Sequence, residues 1–405
     1  MKILVLNAGS SSQKSCLYEI TGKTLPETSQ KPLWEAAIDW TASNNYGLME
    51  ITANGVEKEV KLDLEKRQEA MAKMLESLTQ GETKVIEKLS DINVVGHRVV
   101  HGGSDYSEAT LITEKVKATI KNLIPLAPAH NPGHLEGIEA IEKVLGDVPQ
   151  IAVFDTAFHN KMPKEAAIYP IPYEWFKKGI QRYGFHGTSH KYCSQKAAKI
   201  LGKSLASLRI ITCHLGNGAS LAAVKNGISI NTTMGFTPLE GLMMGNRSGS
   251  IDPAILIYLI QNHNLDAEKL NKMLNKESGL KGIFDKSGDM RQVINAMNEG
   301  DEKAKLAFNM FIHRLRSCIG EMLASLGGLD ALVFTAGIGE HSTIVREKTC
   351  ADFDFLGLKI DKEKNTKSAI NTDISTPDAK VRVLVIHTEE DWAIASECWQ
   401  KMSQA

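Results

Sequence analysis

No apolar run in this 405-residue sequence approaches the roughly 18 residues that a membrane-spanning helix needs, so membrane insertion is not expected. Cysteine is scarce as well. The six thiols, Cys16, Cys193, Cys213, Cys318, Cys350 and Cys398, show no CxxC spacing, which argues for a reduced, cytoplasmic protein and against a disulfide scaffold or zinc ribbon. An excess of one charge is also missing. With 47 Lys and Arg against 48 Asp and Glu, the net −1 gives no global field to draw nucleic acid or an anionic membrane. Anionic ligands are therefore held by local charges. No signal peptide is expected, because a strand pattern begins directly after Met1-Lys2, and no low-complexity tract or flexible linker divides the chain. The 42% hydrophobic content suffices for a large core, and the length predicts two or three domains.

What the chain does have is glycine in telling places. Strand patterns over 3–6, 210–215 and 332–335 each run into a glycine-rich loop: Asn7-Ala8-Gly9-Ser10-Ser11-Ser12, Gly216-Asn217-Gly218-Ala219-Ser220 and Ala336-Gly337-Ile338-Gly339-Glu340. The first two loops are followed by further strand patterns over 14–20 and 221–224 and read as hairpins. Glycine lets the backbone approach a ligand, and successive N–H groups with serine hydroxyls present donors to anionic oxygens, so phosphate is the natural candidate. A duplicated hairpin predicts two similar domains serving one phosphorylated ligand.

Strands and helices alternate elsewhere. Asn54-Gly55 between β-compatible runs over 46–63 predicts another hairpin. Helical spacing is predicted over 68–78, then a buried strand over 92–95, a helix opened by Asn131-Pro132-Gly133 and a strand over 151–154 ending at Asp155. Beyond it come helices over 253–261, 267–274, 290–297 and 302–326, a strand over 381–386 and a last helix over 391–402. The mixture indicates an α/β architecture with covered sheets.

Charged residues beside glycine turns carry the chemical signal. Arg98 and Arg247 each sit among glycines, and a guanidinium fork fits a carboxylate or phosphoryl group, although surface salt bridging is the commoner fate of an arginine. Asp155 at a strand's carboxyl end suits metal-bound water, the orientation of a nucleophile, or a simple cap. Glu390 opens the last helix, where an acid is favoured by the dipole alone. Three His pairs stand at i,i+4: His97/His101, His130/His134 and His186/His190. The spacing resembles a zinc pair, but HExxH order is lacking and Pro132-Gly133 interrupts one pair; donors around a phosphoryl group and buried histidines are the other readings.

Six ordered motifs name a family. ILVLNAGSSSQK at 3–14, GHRVVHGG at 96–103, FDTAFH at 154–159, YGFHGTSH at 183–190, HLGNGAS at 214–220 and FTAGIGE at 334–340 closely resemble the acetate kinases, from residue 3 to the final helix. The resemblance implies two ribonuclease H-like domains, the duplicated fold shared with sugar kinases, chaperone ATPases and actin, with a nucleotide cleft between them. The lobes it implies are residues 1–152 plus 388–405 and residues 153–387. It implies a homodimer that reversibly moves the γ-phosphoryl group of ATP to acetate, giving acetyl phosphate and ADP, with Mg²⁺, or Mn²⁺ in its place.

By matching motif, the resemblance gives Arg98 and Arg247 to the acyl carboxylate and the phosphoryl group in flight, His186 to the phosphoryl oxygens, and Asp155 to orienting the attacking carboxylate. Asn7 and Glu390 are implied to organise the metal. Ser12 and Lys14 complete the first phosphate loop, His214, Asn217 and Gly218 cradle the nucleotide phosphates, and Asp289, Arg291, Gly337 and Ile338 border the nucleoside. Val100, Phe185 and Pro238 wall the acyl methyl pocket. A carboxylate is already a nucleophile, so electrostatic stabilisation and direct in-line transfer suffice without a covalent intermediate.

Some positions depart from the family pattern: Ala129 for a leucine beside the acyl pocket, Asn246 and Ser250 around Arg247, His341 after Glu340, and Glu389 before Glu390. Ala129 leaves propionate or butyrate open as the acceptor, since one methylene discriminates by only about 1–3 kcal/mol. A non-transferring ATP-driven binding module is the more distant alternative, against which the two arginines and His186 stand.

Overall fold

A computed structural model describes residues 1–9, 12–43, 45–63, 67–128, 130–367 and 369–404. Ser10 and Ser11 of the first loop, and Ala129, lie outside the described residues. The chain forms two compact units, Met1–Ala157 with Glu389–Ala405, and Phe158–Thr388. Sequence placed the changeovers at 152/153 and 387/388. They fall at 157/158 and 388/389, because Asp155 N still donates to Val99 O at 2.9 Å and Gly102 N to Thr156 Oγ1 at 3.2 Å, which keeps this segment on the first sheet.

The first unit is built on strands β1 (Lys2–Ala8), β2 (Ser12–Glu19), β3 (Trp34–Asp39), β4 (Gly47–Ala53), β5 (Val56–Leu62), β6 (Val94–Val99), β7 (Thr110–Leu111) and β8 (Gln150–Phe154), in the sheet order β5-β4-β3-β2-β1-β6-β8-β7. The first five form an antiparallel meander, and β6 and β8 add parallel strands beside β1. Period-two burial is plain in β3, where Trp34, Ala36 and Ile38 face the core and Ala37 and Asp39 face solvent. Strand β8 is buried along its whole length, as parallel strands covered on both faces are. The Asn54-Gly55 hairpin joins β4 to β5, with both turn residues at positive φ.

The second unit repeats the plan with β9 (Arg209–Leu215), β10 (Ala219–Lys225), β11 (Ile228–Thr232), β12 (Ala331–Thr335), β13 (Thr372–Asp373) and β14 (Arg382–Val385), ordered β11-β10-β9-β12-β14-β13. Again an antiparallel trio continues into two parallel strands. This correspondence bears out the two similar domains that the paired hairpins predict, and it is the duplicated ribonuclease H-like fold that the family resemblance implies. A 25-residue helix, Glu302–Leu326, packs beside β10 and β11; Asp301 caps it by accepting from Ala304 N, and Gly327 ends it in the left-handed region.

One glycine decides where the last helix lies. A Cβ on Gly96 in β6 would meet Cys398 Sγ at 2.5 Å and Ile394 Cγ2 at 2.8 Å, so only glycine lets the helix Glu390–Ser403 rest on this strand. Side chains alternate along a strand, and Arg98 therefore shares the face of Gly96 and looks toward that helix. His97 points the opposite way and bonds Gln150 Oε1 through Nε2 at 2.6 Å.

Burial of histidine has a consequence for stability. Burial pulls both His97 and His101 down to about 4 from an ordinary 6.5, so both stay neutral in the native state while the unfolded chain takes up protons below pH 6.5. The unfolded state then binds more protons, and stability falls as pH drops through the window from 6.5 to about 4. Each residue is expected to cost about 2 kcal/mol by pH 5. Urea unfolding at pH 7, 6 and 5 checks this; equal unfolding free energies across that series contradict it.

Candidate active site

In the first unit the chemistry collects where β1, β6 and β8 end. Parallel register sets Arg98 opposite Val153 and Val99 opposite Phe154, which leaves Asp155 one step past the strand and within reach of the guanidinium. Arg98 donates from Nε to Asp155 Oδ1 at 3.1 Å and from Nη2 to Oδ2 at 2.7 Å, a side-on fork on a carboxylate only 3% exposed. Its Nη1 donates to Asn7 Oδ1 at 3.2 Å. Burial works against the guanidinium charge, yet Asp155 and Glu390 more than offset it and hold the pKa above its ordinary value.

Asn7 completes its amide by donating from Nδ2 to Asp391 Oδ1 at 2.9 Å, across 384 residues of sequence. Lys14, the antiparallel partner of Asn7, reaches Asp391 Oδ2 at 2.9 Å. Burial opposes the Lys14 charge, and Asp391 overrides it and raises the pKa. Ser12 opens β2, exposed, and its carbonyl accepts from Gly9 N at 2.7 Å. Burial pushes the Glu390 carboxyl above its ordinary pKa; Arg98 and the Asn7 amide pull it down, while Asp155 and Asp391 add to the rise. A cation beside Glu390 would relieve that strain. One carboxylate and one amide oxygen fit Mg²⁺, which takes few protein ligands and completes its shell with water and substrate phosphates. Val100, on the same strand run, is buried.

In the second unit His186 precedes the helix Gly187–Ile200 in the left-handed region, φ 57°, an unusual conformation for a non-glycine residue and a mark of functional sites. Its Nδ1 is 2.8 Å from Ser220 Oγ, and its ring stacks on His214 with centroids 4.2 Å apart. Sheet register explains the meeting, since Ser220 is the β10 partner of His214 on β9. His214 in turn bonds Ser189 Oγ through Nδ1 at 2.9 Å. Gly218 lies between two functional groups: a Cβ placed there would be 3.5 Å from Arg247 Nη1 and 3.7 Å from His186 Nε2.

Arg247 donates from Nη1 to Pro238 O at 3.0 Å, and among the described residues no carboxylate pairs with it. Burial pulls its pKa down from the ordinary value. Phe185 is buried, and its carbonyl bonds His159 Nε2 at 3.0 Å. A separate cavity of about 880 Å³ is lined by Gly216 and Asn217 of the second glycine loop, by Asp289 and Arg291, and by Gly337 and Ile338 of the third. Asp289 caps the helix Met290–Asn298 by accepting from Arg291 N at 2.8 Å and pairs with the exposed Arg291 side chain. The third loop is a strand-to-helix turn: Gly337 and Ile338 lie in the short helix Ala336–His341. Glu340 fixes it by accepting from Ala336 N at 2.8 Å and from His387 Nδ1 at 2.7 Å, with His387 taken as the donor.

The structure thus gathers Asn7, Lys14, Arg98, Asp155 and Glu390 in the first unit. It gathers His186, His214, Gly218 and Arg247 in the second, with Asn217, Asp289, Arg291, Gly337 and Ile338 around the cavity. Sequence reasoning missed Asp391, although it directly follows Glu390 at a helix start. It also missed Ser220 as a partner of His186, and Asn295, which lines the cavity beside Asn246 and His341. Sheet register brings in Ser220, and the helices Glu390–Ser403 and Met290–Asn298 bring in Asp391 and Asn295.

The chain is similar to known proteins along nearly its whole length. A sequence model of the Acetokinase family matches residues 2–396. The acetate kinase of Rippkaea orientalis is 66% identical over 398 residues, 98% of each chain. Among solved structures, Porphyromonas gingivalis acetate kinase gives a TM-score of 0.90 at 40% identity over 99% of both chains. A Francisella tularensis propionate kinase gives 0.89 at 40% identity over 98% of both.

Proposed function

The chain belongs to the acetokinase family, and we propose that it reversibly transfers the γ-phosphoryl group of ATP to acetate, forming acetyl phosphate and ADP. The observation that carries the acceptor chemistry is the donor count at Arg98. A guanidinium has five N–H groups; three are spent on Asp155 and Asn7, which leaves two for a substrate carboxylate. Asp155 fixes the plane of that fork and so orients the nucleophile, with no proton to remove from it. Arg247 and His186 donate to the oxygens of the transferring group as charge spreads over them. Lys14 and Ser12, with His214, Asn217 and Gly218, serve the phosphates, and the 880 Å³ cavity takes the nucleoside. Asn7 and Glu390 would hold Mg²⁺, or Mn²⁺, which neutralises phosphate charge when bound. Transfer is direct and in line, without a phosphorylated protein intermediate.

Acetate is the acceptor by family, and Val100, Phe185 and Pro238 wall its methyl group in this reading. The experiment is a hydroxamate assay with MgATP and acetate, propionate or butyrate in turn. The highest kcat/KM is expected for acetate. A higher value for propionate moves the enzyme to the neighbouring specificity, and ATP hydrolysis indifferent to every carboxylate defeats the kinase reading.

The enzyme works as a cytoplasmic homodimer in this proposal. Six free, buried cysteines suit a reducing compartment. The helix Ala254–His263 buries no residue and exposes Ile255, Ile257, Tyr258 and Ile260, an apolar surface suited to a second copy. Ile257→Glu with Tyr258→Glu is expected to halve the mass seen by light scattering; an unchanged mass places the interface elsewhere.

A further inference from the structure

Behind His186 lies a continuous file of hydrogen bonds. Thr212 Oγ1 is 2.7 Å from His190 Nδ1, His190 Nε2 is 2.8 Å from Ser220 Oγ, and Ser220 Oγ is 2.8 Å from His186 Nδ1. Thr212, His190 and Ser220 are fully buried, and their hydroxyl and ring groups bond one another away from the surface. We infer that Thr212, His190 and Ser220 form a directional chain that holds the His186 proton on Nε2, making His190 and Ser220 positioning residues for the phosphoryl donor. The inference rests on the reading of His186 as a donor to the transferring group.

Proton counting sets the direction. Among the described residues Thr212 Oγ1 bonds His190 Nδ1 alone, so the threonine hydrogen either points there or is buried without an acceptor. Thr212 therefore donates, and His190 Nδ1 accepts. A neutral imidazole carries one proton, which then sits on His190 Nε2 and is donated to Ser220 Oγ. Burial, with His159 and His214 alongside, pulls the His190 pKa well below its ordinary value and keeps the ring neutral. Ser220 has one hydrogen left to give, and it goes to His186 Nδ1. Neutral His186 is thus the Nε2–H tautomer, and Nε2 is the nitrogen near Gly218 and Arg247 Nη1. A chain running the other way would put a lone pair at that position and turn a donor into an acceptor.

Among the described residues His186 meets His190 from its own helix, His214 from β9 and Ser220 from β10, with Arg247 across Gly218. A neutral donor with a fixed tautomer supplies its hydrogen bond over the whole working pH range, whereas an imidazolium donor fails as pH rises.

The test reads the tautomers directly, by nitrogen NMR of the full-length enzyme labelled in its histidine rings, with signals assigned by loss in His186→Gln and His190→Gln. Both rings are expected as Nε2–H at pH 7.5; Nδ1–H at either, or a protonated His186, overturns the chain. Ser220→Ala is expected to leave His186 in mixed tautomers and to lower kcat about tenfold, with KM for acetate and MgATP within about twofold. Ser220→Thr, which restores the hydroxyl, should return both. Unchanged tautomers and kcat in Ser220→Ala overturn the positioning role. Full turnover in His186→Gln removes the donor reading itself, while the wild-type spectrum still decides the direction of the chain.

Discussion

Arg247→Ala is expected to lower kcat for acetyl phosphate formation about a thousandfold, close to 4 kcal/mol of transition-state stabilisation, and to leave Tm unchanged or raised. The two effects share one cause. Arg247 is a half-buried guanidinium whose one acceptor among the described residues is the Pro238 carbonyl, and burial lowers its pKa with no carboxylate among them to offset it. Such a cation costs the fold something and is repaid when an anion arrives, so its removal harms the reaction and spares the structure. Arg247→Lys keeps the charge but not the planar fork and should recover only part of the rate. Hydroxamate kinetics and a thermal melt on one preparation decide the matter. A kcat within tenfold of wild type takes Arg247 out of the mechanism, and a clear fall in Tm shows that its charge is compensated after all.

Arg98→Ala should behave differently although the activity loss is similar. Asp155 is 3% exposed and accepts both forks of the Arg98 bond, so deleting the guanidinium leaves a buried carboxylate unpaired. A loss of about 3–5 kcal/mol of stability is expected in addition to the loss of turnover. Arg98→Ala with Asp155→Ala removes both charges and should recover most of that stability and none of the activity. Urea unfolding of the two single variants and the double variant completes the cycle. If Arg98→Ala unfolds at the wild-type urea concentration, the pair does not anchor the site. The contrast between the arginines is that Arg98 is paired with a carboxylate and Arg247, among the described residues, is not.

The acid-sensitive histidines belong to the same division of labour. His97 faces away from Arg98 on the strand β6, bonded to Gln150, and its neutrality supports the sheet that presents the arginine. Loss of stability below pH 6.5 and loss of activity by direct titration of the site are therefore separable measurements.

Much of this was legible in the chain. The glycine loops after 3–6, 210–215 and 332–335, the Asn54-Gly55 turn and the helical spacing through 302–326 are local signals, fixed by backbone freedom and side-chain periodicity over a few residues. They determined the α/β class, the duplication and the residue types for phosphate chemistry, and the six motifs determined the family. Partnership was not legible. Asn7 meets Asp391 across 384 residues, Arg98 meets Asp155 through the β6 and β8 register, and Ser220 meets His186 because β10 lies against β9. The His186/His190 spacing, open at first to a metal reading, is a hydrogen-bond file whose linking hydroxyls come from two other strands. Sequence determined which groups the protein carries, because composition and local pattern are written residue by residue. Tertiary structure alone decided which charges are compensated and which side chains meet, because register and helix docking act between residues that sequence keeps far apart.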